Sequence, residues 1–564
     1  MRWLVPPVDP DAIANLSREL GFSPLLARLL VRRGIRDPET AQRFLRPSLD
    51  QIPDPFLMAD MPAAVERLRR AIGRNEKVLI YGDYDADGTM AVVVLLTALR
   101  SLGAKVEAHI PDRFAEGYGM RIPVIERAAS ENVRVIISVD TGVREHEVIK
   151  RACELGIDCI VTDHHLPESH LPPAKAILNP RRPDCSYPDK NLSGVGVAWK
   201  LVQAMLGERL SERQVLSYLK VVAIGTVADV VPLLGENRII AYFGLRALAE
   251  PEQPGLGALL EVAGVCGRPV TTGEIGFRIA PRLNAAGRME NARDVIDLFM
   301  TREASRAREI AQKLEALNRE RQSVEDEILR QIEAQLRQSP QRVQKYSLVI
   351  SGDGWHRGVI GIVAQRVVDR YHRPALVIGV EDGVGVGSGR SIRGFHLLDA
   401  LAAMSDLFDR YGGHAQAAGF TLPSGRIEEL ETRFENCARS NLTPEDLEPV
   451  LHIDAELDLA GVDWSGFEDV ERLEPFGCGN AAPVFLARGL SVALPPRILQ
   501  EKHLKLKVGQ AGKLFDALGW GRAEQGSRVS CGQCLDMVFT LDQNVYRGVA
   551  TLQLVMKDFR VQGA

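Results

Sequence analysis

Three carboxylates stand at alternate positions in Gly82-Asp83-Tyr84-Asp85-Ala86-Asp87-Gly88. Like charges so close repel one another, so they must be solvated or neutralised by cations. Taken alone, the cluster reads either as a solvated acidic loop capping a helix or as a cation site. Three further runs end in similar chemistry: Ser138-Val139-Asp140-Thr141-Gly142, Thr162-Asp163-His164-His165 and Val227-Ala228-Asp229. No lysine or arginine lies inside these turns, although Arg144 is close to one. Each aspartate singly reads equally well as a helix cap or turn residue. Jointly, oxygen ligands with one or two imidazoles suit hard or borderline divalent ions such as Mn²⁺, Mg²⁺ or Zn²⁺. Asp85, Asp87, Asp140 and Asp229 together carry about −4, which two divalent ions would balance. A pair of such ions clamps a phosphoryl oxygen and activates water for in-line attack.

These turns need elements that bring them together. Val78–Ile80 reads as a buried strand, and Met90–Leu102 as a buried helix. The first acidic cluster then lies at the carboxyl end of a strand, where open α/β sheets bind ligands. Further strands are expected at Val106–Ile110, Val133–Val139, Cys159–Thr162 and Ala176–Leu178, with helices at Met120–Ser130 and Glu145–Leu155. Such alternation predicts a doubly wound parallel sheet. The apolar run Val221–Thr226 ends on the same rim in this reading.

Ala304–Gln338 has helical spacing of apolar residues and reads as one long connecting helix. A second α/β unit follows from about Tyr346 to Asn441, with strands at Ser347–Ile350 and Ala375–Ile378. Its Gly387-Ser388-Gly389-Arg390-Ser391 reads as a loop, and Gly412-Gly413-His414-Ala415-Gln416-Ala417-Ala418-Gly419 as a stretch that follows a helix. Glycines beside Ser, Arg and His expose backbone N–H groups suited to anions. After Glu448, short alternating stretches read as a small barrel that would track single-stranded nucleic acid, with Lys502, Lys505, Lys507, Tyr546 and Arg547 as candidates. The first 60 residues read as an extension packed on the first domain.

With 564 residues, several domains are expected. The absence of a span-length apolar run or signal-peptide pattern makes a cytoplasmic protein without a membrane anchor the expectation. The eight cysteines are scattered, and Cys531/Cys534 lack a second pair for zinc. A net charge of −5 argues against coating duplex DNA but allows a local basic channel.

The motifs GDYDADG, VDTG, TDHH and VADV, in that order, resemble those of the DHH phosphoesterases, and within that family its bacterial single-strand-specific exonucleases. The resemblance implies an α/β fold: an extension (1–60), a DHH-type parallel-sheet catalytic domain (61–300), a connecting helix (301–345), a DHH-associated α/β domain (346–445) and an OB-like β-barrel (446–564). It implies two Mn²⁺ or Mg²⁺ ions on Asp85, Asp87, Asp140, His164 and Asp229, with Asp140 bridging. His165 would contact the scissile phosphate. Asp83 would support the site through hydrogen bonds or itself reach a metal. Many DHH enzymes have a histidine where this chain has Tyr81, which leaves a water or no ligand there.

On the substrate side, the resemblance places Arg113 near a terminal phosphate and Tyr118 near a base. It puts Arg282, as a catalytic residue, and Arg288 on a segment facing the site. Ser388, Arg390 and His414 would face the metal cleft, and Arg113, Ser388 and Arg390 would hold the 5′ phosphate. Gly194-Val195-Gly196-Val197-Ala198 is a weak phosphate-binding signal beside a plain helix start. The implied activity is 5′-to-3′ hydrolysis of single-stranded DNA to 5′ mononucleotides in DNA repair and recombination. A helicase and a single-strand-binding protein would cooperate with a monomer. A phosphodiesterase for oligoribonucleotides or cyclic dinucleotides is the first rival; the residues after Glu448 argue against it. A non-catalytic DNA-binding relative is the second, and the retained acidic and histidine set argues against that.

Overall fold

Five parallel strands carry most of the acidic turns. The structure is a computed structural model and describes residues 1–117 and 119–562. Strands β1 (Lys77–Tyr81), β2 (Lys105–His109), β3 (Val133–Val139), β4 (Asp158–Thr162) and β5 (Ala176–Leu178) lie in the order β2-β1-β3-β4-β5. Side chains alternate between the faces of a strand. Ile80, Ile137 and Ile160 therefore join the core on one face, and Leu79, Ile136 and Cys159 the core on the other. Both faces are covered, which is why the strands are apolar throughout.

Helix α1 (Ala86–Ser101) leaves the end of β1 and is buried over most of its length. Helices α2 (Gly194–Leu206) and α3 (Glu212–Ala228) pack beside it. The run Val221–Thr226 is the buried end of α3, so Asp229 is delivered by a helix C-terminus and not by a strand. A continuous apolar run looks alike in a buried strand and a buried helix.

Helix α4 (Ala280–Met289) leads toward α5 (Ala304–Gln338). Ala307 to Leu317 of α5 pack in the first core, and Ile328, Ile332 and Leu336 in the second. One rod about 52 Å long thus belongs to both domains.

The second sheet contains β6 (Leu348–Asp353), β7 (Ala375–Glu381), β8 (Val384–Arg390), β9 (Arg410–Gly413) and β10 (Ala417–Pro423), ordered β9-β10-β8-β7-β6, with α6 (Ile360–Tyr371) packed on it. Only β6 and β7 pair in parallel. Ser388 and Arg390 therefore sit on a strand where the sequence suggested a loop, and His414 follows a strand, not a helix.

The last domain closes as a five-stranded barrel of β11 (Phe485–Leu499), β12 (His503–Gln510), β13 (Lys513–Gly519), β14 (Cys534–Tyr546) and β15 (Val549–Val561). Its neighbours run β11-β12-β13-β15-β14, and β14 pairs back on β11. The N-terminal helices differ from expectation: Leu16, Leu26, Leu29 and Leu30 share the barrel's core, not that of the first domain. A short strand Arg2–Leu4 also pairs with Val450–His452. Among the described residues, no helix is long and apolar enough to cross a membrane.

Candidate active site

The turn after β1 aims its carboxylates in three ways. Asp83 Oδ1 accepts from the Tyr84 N–H at 2.8 Å. Asp85 is the N-cap of α1 and accepts from the Gly88 N–H at 3.0 Å. Asp87, inside the first turn, accepts from the Gly194 and Val195 N–H groups at 2.6 and 3.0 Å. The N-terminus of α2 thus receives a carboxylate of this chain, as helix N-termini favour. Gly194 is needed for the approach: a Cβ there would lie 2.6 Å from Asp140 Oδ1.

Asp140 follows β3 in the left-handed region, with φ 59°. His164 Nε2 lies 3.2 Å from Asp140 Oδ1 and 3.6 Å from Asp229 Oδ2. Three overlapping groups result: Asp83, Asp85 and Asp140; Asp140, His164 and His165; Asp87, His164 and Asp229. Within each, one ligand atom per residue lies within 4.8 Å of the others. Asp140 and His164 each belong to two groups.

Burial, and then the neighbouring carboxylates, push Asp83, Asp140 and Asp229 well above the usual carboxylate range. The same causes raise Asp87 to about 7. Burial lowers His164 to about 4, so its imidazole is neutral. Asp140 Oδ1, Asp229 Oδ2 and both His164 ring nitrogens are buried without a hydrogen-bond partner. Among the described residues, no lysine or arginine forms an ion pair with these aspartates. Unpaired oxygen and neutral imidazole donors fit divalent cations, which would replace the missing partners.

Asp163 behaves differently. It accepts from the Val143, His164 and His165 N–H groups at 3.0, 2.7 and 3.0 Å, and from His165 Nδ1 at 2.8 Å. Burial alone would raise it, but these donors hold it at about 2. It locks His165 in place. His165, less buried than His164, stands on the solvent side of the cluster.

Guanidinium groups gather opposite. The Arg113 guanidinium lies 4.9 Å from the Tyr84 ring centroid. Arg390, at the end of β8, donates to Ser388 Oγ at 3.1 Å. Burial first, then Arg113 and Arg390, lower Arg288 to about 10. Burial and Arg113 likewise depress Arg390, and burial, Arg390 and His165 depress His414. These cations sense one another across the domain boundary. An incoming anion would relieve the repulsion.

Residues 77–226 match the DHH family, N-terminal domain; residues 344–440 match the DHHA1 domain; residues 453–558 match the RecJ OB domain. The single-stranded-DNA-specific exonuclease RecJ of Bacillus subtilis is 37% identical over 568 residues, covering 100% of this chain and 71% of that protein. Its Escherichia coli counterpart is 34% identical, with 97% of each chain covered. The chain belongs to the RecJ family.

A crystal structure of RecJ with Mn²⁺ from Thermus thermophilus superposes with a TM-score of 0.85 at 30% identity, covering 100% of this chain and 80% of that one. The Mg²⁺ complex of the same protein gives 0.78 at 28% identity, covering 100% and 79%.

Within this RecJ-family site, Arg282 is not with the cluster. Its Nε pairs with Glu315 of α5 at 2.6 Å and its Nη1 donates to the Arg278 carbonyl. Six residues along a helix is about 240° of net rotation, so Arg282 and Arg288 cannot share a face. Tyr81 is also turned away: its hydroxyl donates to the Gly119 carbonyl at 3.3 Å and its ring meets His109. Tyr118 lies outside the described residues. Lys505 and Lys507 both pair with Asp516. Two contributors carried no sequence signal: Asn284, which accepts from the Ala86 N–H at 2.8 Å, and Asn179, which donates to the His165 carbonyl at 2.8 Å. Both act on backbone, Asn284 from 198 residues away and Asn179 from 14.

Proposed function

We propose that this RecJ-family chain is a single-stranded-DNA-specific exonuclease that works from the 5′ end and releases 5′ mononucleotides. The observation that carries the reading is the juxtaposition of three overlapping ligand groups, two of carboxylates with imidazoles and one of carboxylates alone, with a guanidinium cluster across one cleft. Asp85, Asp87, Asp140, His164 and Asp229 would hold two Mn²⁺ or Mg²⁺ ions, with Asp140 shared between them. Ions bound there supply phosphoryl-charge stabilisation and activation of water.

The chain's own groups do the rest. Arg113, Ser388 and Arg390 grip the terminal phosphate; guanidinium forks suit phosphate geometry. Arg288 adds charge beside them. His165, oriented by Asp163, meets the scissile phosphate from the solvent side of the cluster. Asp83 accepts from the Tyr84 N–H and so shapes the turn that carries Asp85, and it stands with Asp85 and Asp140 as a further oxygen that could reach a cation. A terminal phosphate gripped at one end fixes how far from that end the bond over the carboxylates lies, which suits release of one nucleotide at a time. Work in repair and recombination as a cytoplasmic monomer, fed by a helicase and a single-strand-binding protein, fits this chemistry.

Digestion of a 5′-labelled oligonucleotide with Mn²⁺ tests the reading. The label is expected in mononucleotide from the earliest time points, and a chelator stops its release. Label retained in long products would overturn the polarity. No metal-dependent release at all would overturn the activity.

A further inference from the structure

One cavity of the catalytic domain stands apart from the acidic cluster, yet is built largely from the helices that hold it. Its volume is about 450 Å³, within the ~300–1,000 Å³ usual for small-molecule sites. The floor is Val93 and Val94 of α1 and Val221 of α3, all buried, with Leu206 at the end of α2 and Leu210 in the connection to α3. By helical rise, Thr97 on its wall lies about 15 Å along α1 from Asp87, and Tyr218 about 17 Å along α3 from Asp229. An occupant therefore meets the helices that carry the carboxylates without touching the carboxylates.

The polar groups of the wall say what fits. Arg209, in the turn Gly207–Arg209 between α2 and α3, is the one charged residue of the lining. Among the described residues, its guanidinium has no hydrogen bond or ion pair. Tyr218 packs its ring on the buried Trp199, with centroids 5.2 Å apart, and its hydroxyl likewise has no partner among the described residues. Burial raises that hydroxyl to about 12, so it stays neutral. Thr97 and Gln214 are already engaged, with the Val93 carbonyl and with Ser211. An apolar floor beside an unpaired guanidinium and a free hydroxyl suits an apolar body bearing one carboxylate, which arginine holds bidentately. A nucleotide does not suit it, because sugar hydroxyls would be buried against the floor without partners.

We propose that this cavity is a regulatory site for a small amphipathic carboxylate, a free medium-chain fatty acid, with its chain on the valine floor and its carboxylate at Arg209, and that its occupant favours metal loading. The coupling follows from shape. A ligand stabilises the arrangement it fits. The cavity is open in the same arrangement that brings ligand atoms of Asp87, His164 and Asp229 within 4.8 Å of one another. Helices α1 and α3 pack together, and α2 donates to Asp87 from its far end. Occupant and cations thus favour one placement of these helices, and each tightens the other. The coupling, unlike the binding, rests on the metal assignment made above.

Calorimetric titration of octanoate and octan-1-ol into the full chain, with and without Mn²⁺, tests this. Octanoate binds at one site and more tightly than octanol. Arg209→Gln weakens octanoate by ~10-fold, the scale of one charge-assisted hydrogen bond, and leaves octanol unchanged. Ser217→Phe, which puts a ring into the cavity from a half-buried position on α3, abolishes binding of both. Saturating octanoate lowers the Kd for Mn²⁺ by ~5-fold or more, the low end of common coupling, and Mn²⁺ tightens octanoate by the same factor. No octanoate binding, or binding that Arg209→Gln and Ser217→Phe leave unaltered, overturns the site. Octanoate binding with an unchanged Mn²⁺ affinity overturns the coupling and leaves the exonuclease reading standing. A chain that binds octanoate but no Mn²⁺ overturns the metal assignment and not the site. Arg209 is exposed, so its substitution does not threaten the fold and decides the matter if Ser217→Phe disturbs α3.

Discussion

Asp140 and Asp163 are both buried aspartates at the ends of adjacent strands, yet they do opposite work. Asp163 is surrounded by donors and held at about 2. Asp140 keeps an oxygen without a partner and is pushed well above the usual range by burial and by Asp87, Asp85 and Asp229. The first is a structural anchor and the second waits for a cation. Asp140→Ala should therefore weaken Mn²⁺ binding and abolish cleavage. Asp163→Asn should keep Mn²⁺ binding largely intact and lower kcat by ~10- to 100-fold, the usual cost of losing an outer partner of a site imidazole. Calorimetric Mn²⁺ titration beside a cleavage assay checks both; near-normal turnover in Asp140→Ala would remove it from the metal assignment. The aspartate spacing was legible because it is local. The division of labour was not, because the Val143 N–H that donates to Asp163 comes from a remote turn. The arginines of α4 show the same limit: sequence offers both, and only helical phase separates Arg288 from Arg282.

At the scale of elements, misreadings came where packing decides the conformation. Val221–Thr226 is rich in β-branched residues, yet it is helical because α3 is enclosed by its neighbours. Gly387 and Gly389 suggested a loop, yet they lie in β8, where a Cβ would meet the Phe420 ring at 2.1 Å and Leu376 at 2.7 Å. Those glycines answer to close packing, not to a turn. On the barrel, Lys507 stands opposite Asp516 in the β12–β13 register and Lys505 lies two residues along on the same face. Burial would raise Asp516, but Lys507 and Lys505 outweigh it and hold its carboxyl below the ordinary value. A depressed native pKa means that the unfolded chain takes up the proton first. The stabilisation is then complete above an unfolded aspartate's pKa of about 4 and is lost as pH falls through the lower native value. Asp516→Asn should therefore flatten the fall in thermal stability on acidification below about pH 4 and leave the slope at neutral pH unchanged. Unfolding curves of both proteins across that range decide it; identical acid slopes would show that the pairs contribute nothing.

At the scale of the whole molecule, the chain closes on itself in a way no local pattern announces. The N-terminal helices complete the barrel's core although more than 400 residues separate the partners, as in Ser23 and Asp469, |i−j| = 446. Arg238, in the catalytic domain, ties this assembly down. Its guanidinium lies 3.8 Å from the Phe44 ring centroid and donates to the Phe44 carbonyl at 3.0 Å. It also donates to the Leu473 and Glu474 carbonyls at 2.9 and 2.7 Å, in the segment before the barrel. One buried side chain thus joins three parts of the chain, and burial, with Arg33 nearby, lowers it to about 9. Removing it takes the side-chain donor from the Phe44 and Glu474 carbonyls, at about 0.5–1.5 kcal/mol each, while the Leu473 carbonyl keeps the Asn480 Nδ2–H at 2.8 Å. Arg238→Ala should lower the first thermal transition and open residues 46–60 and 473–482 to limited proteolysis. Arg238→Lys should fail to rescue, because a single ammonium cannot span acceptors laid out for a planar fork. The same junction reaches the catalytic domain again just beyond those carbonyls, where the Leu233 N–H donates to the Cys478 carbonyl at 2.8 Å. Loosening it should therefore cost oligonucleotides long enough to reach the barrel more than dinucleotides, measured as the ratio of their kcat/KM values. Cleavage, melting and proteolysis all matching the unsubstituted protein would show that the domains are held by their apolar contacts alone.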